Sequence, residues 1–75
     1  MDGFVKRLNE LVKERQMSAV QLARETDVNP MTIRRYLNPD IYPTECRYPR
    51  VDIFVRLCDV FGVSMDYLWG RSDQR

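Results

Sequence analysis

Residues 18–37, SAVQLARETDVNPMTIRRYL, decide the fold, because they hold two helix starts separated by a single tight turn. Ser18 is a preferred N-cap, and Gln21 three positions later can reach back to it, with Met17 and Leu22 at the positions of a hydrophobic staple. A second start follows at once: Asn29 is a cap, Pro30 suits the first helical position, and Val28 and Ile33 form the matching staple. Between them Thr26-Asp27-Val28 must reverse the chain, which calls for left-handed backbone. Asp is one of the few residues besides Gly that visit that region at modest cost, so Asp27 is expected there. Small Ala23 lets the two helices cross closely, while Leu22, Val28, Ile33 and Tyr36 point inward at helical spacing. The outward face of the second helix is then Pro30, Met31, Thr32, Arg34 and Arg35.

Upstream, Asp2 is placed to cap a helix over about residues 3–15. Phe4, Val5, Leu8, Leu11 and Val12 lie on one face and Lys6, Arg7, Glu10, Lys13 and Glu14 on the other, the pattern of a support helix with a solvated outer side. Downstream, NPDIYPTECRYPR carries three prolines and no helical period, so residues 38–50 read as a loop, long for so small a chain. A fourth helix spans Val51 to Phe61, with Phe54, Leu57, Cys58 and Phe61 at core spacing and Gly62 as its stop. Ser64 caps a last short helix, with Val63 and Leu68 as a third staple and Gly70 ending it; the polar residues 71–75 are expected to fray.

Seventy-five residues, 44% of them hydrophobic, make one domain over 1–75, enough for a small helical bundle and too little for a closed catalytic cleft. Histidine is absent, which removes the commonest general base and metal ligand, and no metal site or cofactor site can be drawn. The scattered carboxylates converge nowhere, so an enzyme is not expected. Cys46 and Cys58 stand too far apart for a C-x-x-C motif and are expected to be free thiols. With no long apolar run and no signal peptide, the expected setting is a reducing cytoplasm, away from membranes. The net charge of +1 is low for a nucleic-acid binder, since phosphate neutralisation supplies much of the affinity. Its distribution is polarised: Arg34, Arg35, Arg47 and Arg50 face only Asp40 and Glu45 between Val28 and Arg50, while four aspartates outnumber three arginines from Val51 onward.

The paired helices of 18–37, together with Pro49 through Gly70, the Gly-Val-Ser of 62–64 and the Tyr-Leu-x-Gly-Arg-Ser-Asp of 67–73, resemble the Cro/repressor (Xre) family of helix-turn-helix DNA-binding regulators over nearly the whole chain. The resemblance implies an all-α, five-helix fold of lambda-repressor-like type, here with an extended loop between helices 3 and 4 where the family has a short Gly-containing turn. It also implies that the second helix of the motif enters the major groove. Three departures stand out. Val12 and Leu37 replace an Arg and a Glu that often form a partly buried ion pair, a coherent double change, since losing one partner alone would strand a buried charge. Cys58 stands where a small Ala is usual. Ala19 replaces a DNA-contacting Gln, and Pro30 and Met31 occupy reading positions where polar side chains are common.

Base readout is therefore expected to lean on Arg35, with Thr32 and Arg34, and Met31 can offer an apolar contact to a thymine methyl, while Gln21, Asn29 and the helix amino ends take phosphates and Arg47 and Arg50 reach the backbone from the loop. Tyr42 and Tyr48 either join them or tuck onto the core. The implied partner is double-stranded DNA, bound by a homodimer on a palindromic operator, with Tyr67 and Trp69 of the last helix as dimer anchors or, equally, as core filling. The competing reading is a protein-interaction module on the same fold, antitoxin-like or anti-repressor, with the Met31 surface and the long loop meeting a protein. The low charge and Ala19 favour it, and salt separates the two.

Overall fold

The computed structural model describes residues 2–39, 41 and 49–75, of which the backbone alone is described at Asp2. Five helices follow one another, α1 (Asp2–Glu14), α2 (Ala19–Thr26), α3 (Pro30–Leu37), α4 (Val51–Phe61) and α5 (Met65–Trp69), with no strand among the described residues. The all-α expectation holds, and α4 has the expected bounds. Asp2 is the first residue of α1 instead of its cap.

The starts and stops are chemical. Ser18 Oγ accepts from Gln21 N at 3.0 Å, Asn29 Oδ1 from Met31 N at 2.8 Å, and Ser64 Oγ from Tyr67 N at 3.1 Å, so three of the five helices begin on a side-chain cap read from the sequence. Four helices end on left-handed backbone, at Gln16 (φ 54°), Asp27 (φ 56°), Gly62 (φ 65°) and Gly70 (φ 90°). At each, the next residue's N–H returns to a carbonyl five positions earlier: Met17 to Val12, Val28 to Ala23, Val63 to Cys58 and Arg71 to Asp66. That is the Schellman closure. Asp27 is where the sequence placed it; Gln16, which carries no turn signature, was not foreseen. Only α3 ends otherwise, at Asn38 with φ −134°.

The core is continuous. Phe4, Leu8, Leu11, Leu22, Ile33, Leu57 and Leu68 are almost completely buried, and a row of rings runs through it. Trp69 of α5 meets Phe54 of α4 edge-on at 5.6 Å, Phe54 lies 5.9 Å from Phe4 of α1, and Phe4 meets Tyr36 of α3 edge-on at 6.1 Å. The inward face of α3 is thereby tied to the far end of the molecule. Val12 and Leu37 both pack against this core, which accounts for the loss of the family's charged pair. Cys58 is buried, and burial pushes its thiol pKa up, as suits a packing residue.

The tail corrects the expectation of fraying. It folds back across α1 and α5: Arg7 pairs with Asp73 at 2.8 Å, Arg75 makes a two-pronged pair with Glu14 (2.7 Å for one prong), and Ser64 N donates to the Arg75 carbonyl at 3.0 Å. Arg7 and Arg75 also stand over the Tyr67 ring, at 4.2 and 5.3 Å from its centre. The chain can come this close because Gly3 of α1 meets Gly70: a Cβ on Gly3 would lie 2.9 Å from the Gly70 Cα.

Candidate nucleic-acid interface

The first requirement of a reading helix is that one face be fixed and the other free. Ile33 is fully buried and Tyr36 nearly so, while Met31 (39% exposed) and Arg35 stand outward. Arg35 follows Met31 by four positions, so they share one ridge of the helix, and Thr32, half-buried, flanks it. Arg34 is half-buried beside the ridge and Pro30 half-buried at its beginning.

Both ends of α3 are held. At its start Asn29 takes the Met31 N–H on its side chain and the Thr32 N–H on its carbonyl at 3.0 Å. At its close Asn9 Nδ2, reaching from α1, donates to the Leu37 carbonyl at 3.0 Å and to Val5 at 2.9 Å. Asn9 supplies the tie that a left-handed cap supplies elsewhere, and nothing in its local sequence marks it for that role. Thr26, buried between α2 and α4, returns its hydroxyl to the Leu22 carbonyl at 2.8 Å, and Arg56 of α4 donates to the Thr26 carbonyl at 3.2 Å. The α2 support is thus pinned from behind.

Charge around the ridge is unspent among the described residues. Among the described residues, Arg24, Arg34 and Arg35 make no ion pair and cap no carbonyl, whereas Arg7, Arg15, Arg56 and Arg75 all do one or the other. Arg24 is an addition to the sequence-based set. It is exposed and lines an open cleft between α2 and the start of α3 with Val20, Asp27, Asn29 and Pro30; a lone arginine on a support helix has no pattern to announce it.

The remaining expected residues divide. Gln21 is exposed at the amino end of α2, where its backbone N–H already serves the Ser18 cap and its side chain faces solvent. Asn29 is exposed but its side-chain oxygen is engaged in the cap. Arg50 is exposed at the start of α4, within 3.6 Å of Asp52. Arg47, Tyr42, Tyr48 and Cys46 lie outside the described residues. Trp69 is 37% exposed, but Tyr67 is buried to 4% under Arg7 and Arg75, whose hydrogen bonds hold its phenol below the usual range. Tyr67 therefore offers no ring to a partner surface. Among the described residues no group of acidic, Cys or His side chains could hold a metal, and no described helix is long and apolar enough to cross a membrane.

A family model described as the Cro/C1-type HTH DNA-binding domain matches residues 7–73. No curated protein and no solved structure matches the chain.

Proposed function

From the premise that this chain belongs to the Cro/C1-type helix-turn-helix DNA-binding family, we propose that it is a sequence-specific transcriptional regulator of bacterial or phage type that acts in the cytoplasm without catalysis. In this reading α3 enters the major groove and Arg35 pairs with a guanine, the commonest bidentate contact there. Thr32 and Arg34 assist. Arg24, Gln21 and the open N–H groups at the start of α2 take phosphates, and Arg47 and Arg50 reach the backbone beyond α3. One observation carries this: the outward ridge of α3 leaves Arg35 free while Ile33 and Tyr36 anchor the opposite side.

A single domain of this size makes few contacts, so two copies on a roughly palindromic site are the expected working form. Supporting that form is an apolar cleft of about 290 Å³ between α4 and α5, where Val51 (74% exposed), Met65 and Trp69 surround Phe54 and both charge signs stand at the rim in Asp66 and Arg71. Trp69 is retained as a dimer anchor and Tyr67 is replaced by Met65 and Val51.

The test is selection of bound sites from random duplex DNA at two salt concentrations, with the mass of the complex measured in solution. Phosphate-driven binding weakens steeply as salt rises. Arg35→Ala should cost about 1–3 kcal/mol of specific affinity and relax preference at one base. An unchanged site preference in that variant removes Arg35 from its role. Binding that is indifferent to salt turns the reading toward a protein partner for the same face.

A further inference from the structure

The amino-terminal turn of α3, the part of a reading helix that reaches base edges, has little polar chemistry left to offer beyond the half-buried Thr32 hydroxyl. Pro30 has no N–H, the Met31 N–H is held by Asn29 Oδ1 at 2.8 Å, and the Thr32 N–H is held by the Asn29 carbonyl at 3.0 Å. What this turn presents outward is the Met31 side chain, 39% exposed, with half-buried Pro30 and Thr32 around it. Apolar surface at this place is either useless in the groove or matched to an apolar feature of it. The major groove displays one such feature on its bases, the 5-methyl group of thymine.

We propose that Met31 is a specificity-determining residue that reads the 5-methyl group of a thymine in each half-site; this rests on the DNA-binding reading above. The thioether chain is unbranched and polarisable, so it can lay its terminal methyl and sulfur against a pyrimidine methyl without a fixed rotamer. Its place relative to Arg35 sets the spacing. Four residues advance α3 by about 6 Å, and base pairs rise about 3.4 Å each, so the thymine lies within about two base pairs of the guanine contacted by Arg35. Arg35 fixes the register and Met31 discriminates among sites that share the guanine. The contact adds no hydrogen bond, so it changes preference without changing the salt dependence.

The experiment replaces each thymine of the selected site, one at a time, by deoxyuridine, which deletes only the methyl group. Affinities are measured for the full chain and for Met31→Ala and Met31→Leu. Burial of one methyl corresponds to about fourfold in affinity, so one thymine per half-site should show a three- to fivefold loss on replacement. In Met31→Ala that loss should vanish, because the variant binds the thymine site as weakly as the full chain binds the uracil site. Met31→Leu should keep most of the discrimination. Thermal melting should be the same for all three proteins, as Met31 is outside the core. A uracil penalty that persists unchanged in Met31→Ala, or no thymine near the guanine that responds at all, overturns the methyl contact and leaves the DNA-binding reading standing. A chain that retains no duplex at low salt overturns both.

Discussion

On the α1–α4–α5 side of the molecule Arg7, Arg15, Arg56 and Arg75 each end on an acceptor of the chain itself: Asp73, the Phe61 carbonyl, the Thr26 carbonyl and Glu14. On the α2–α3 side Arg24, Arg34 and Arg35 end on none among the described residues. Arg71, exposed at the rim of the α4–α5 cleft, is the exception on the first side; otherwise the arginines there are engaged and those of the second side are open. A formal charge of +1 conceals this, because it counts a paired arginine and an open one alike. Electrostatic capacity for phosphate depends on where positive charge is left open, and the face that carries the reading helix keeps three arginines without an ion pair among the described residues.

The difference is sharpest within α3, whose two sides belong to the two halves. Ile33 is fully buried one position before Arg34 and two before Arg35. Ile33→Ala should lower stability by about 3 kcal/mol, a transfer loss plus a cavity, large against the roughly 5–10 kcal/mol expected of a domain this small. Urea denaturation followed by circular dichroism measures it. Arg35→Ala, on the opposite side of the same helix, should leave the urea midpoint in place and alter only DNA preference. If both variants lose stability alike, the division between a structural and an idle face is wrong.

How much of this was legible in the sequence follows the same division. Local chemistry was readable: the caps at Ser18, Asn29 and Ser64 and the left-handed Asp27 are signals spread over three or four residues, and the structure forms them. Contacts between distant segments were not. Nothing near Arg75 announces Glu14, sixty-one positions away, and nothing near Asn9 announces the Leu37 carbonyl. The tail therefore read as loose, and Tyr67 as a candidate anchor, because the two arginines that cover it come from opposite ends of the chain. At the site, residue type and helical spacing put Met31 and Arg35 on the outer ridge, but that Arg24 stays open is a fact about partners it lacks, which spacing cannot convey.

The two chain reversals offer a second, smaller comparison. Gln16 and Asp27 both take left-handed backbone at Schellman closures, but Asp tolerates it and a longer side chain such as Gln does so with more strain. Gln16→Gly should stabilise the fold by roughly 0.5–1 kcal/mol, the relief of strain being partly offset by the greater freedom of Gly when unfolded. Asp27→Gly should gain less. Paired denaturation curves decide it, and equal gains would mean that side-chain type is irrelevant to these turns.

The smallest effect expected is in the charged strap, where the structural arginines can be made to release their partners. Hydrogen bonds from Arg75 hold the Glu14 carboxyl below the usual carboxylate range. Between that lowered value and the ordinary one, the unfolded chain binds a proton that the folded chain does not, so stability rises with pH across the window and is lost as pH falls through the lowered value. Glu14→Gln removes that titration. The variant should be slightly less stable than the parent at neutral pH, equal to it in strong acid, and flatter in between, with the gap narrowing as salt screens the exposed pair. Since Arg75 and Glu14 lie on the structural half, site preference on DNA should not change with either pH or substitution in this range. A variant whose acid limb matched the parent's would mean that the tail is held by the Ser64–Arg75 backbone bond and the Gly3–Gly70 contact, and that Arg75 covers Tyr67 without its ion pair bearing on stability.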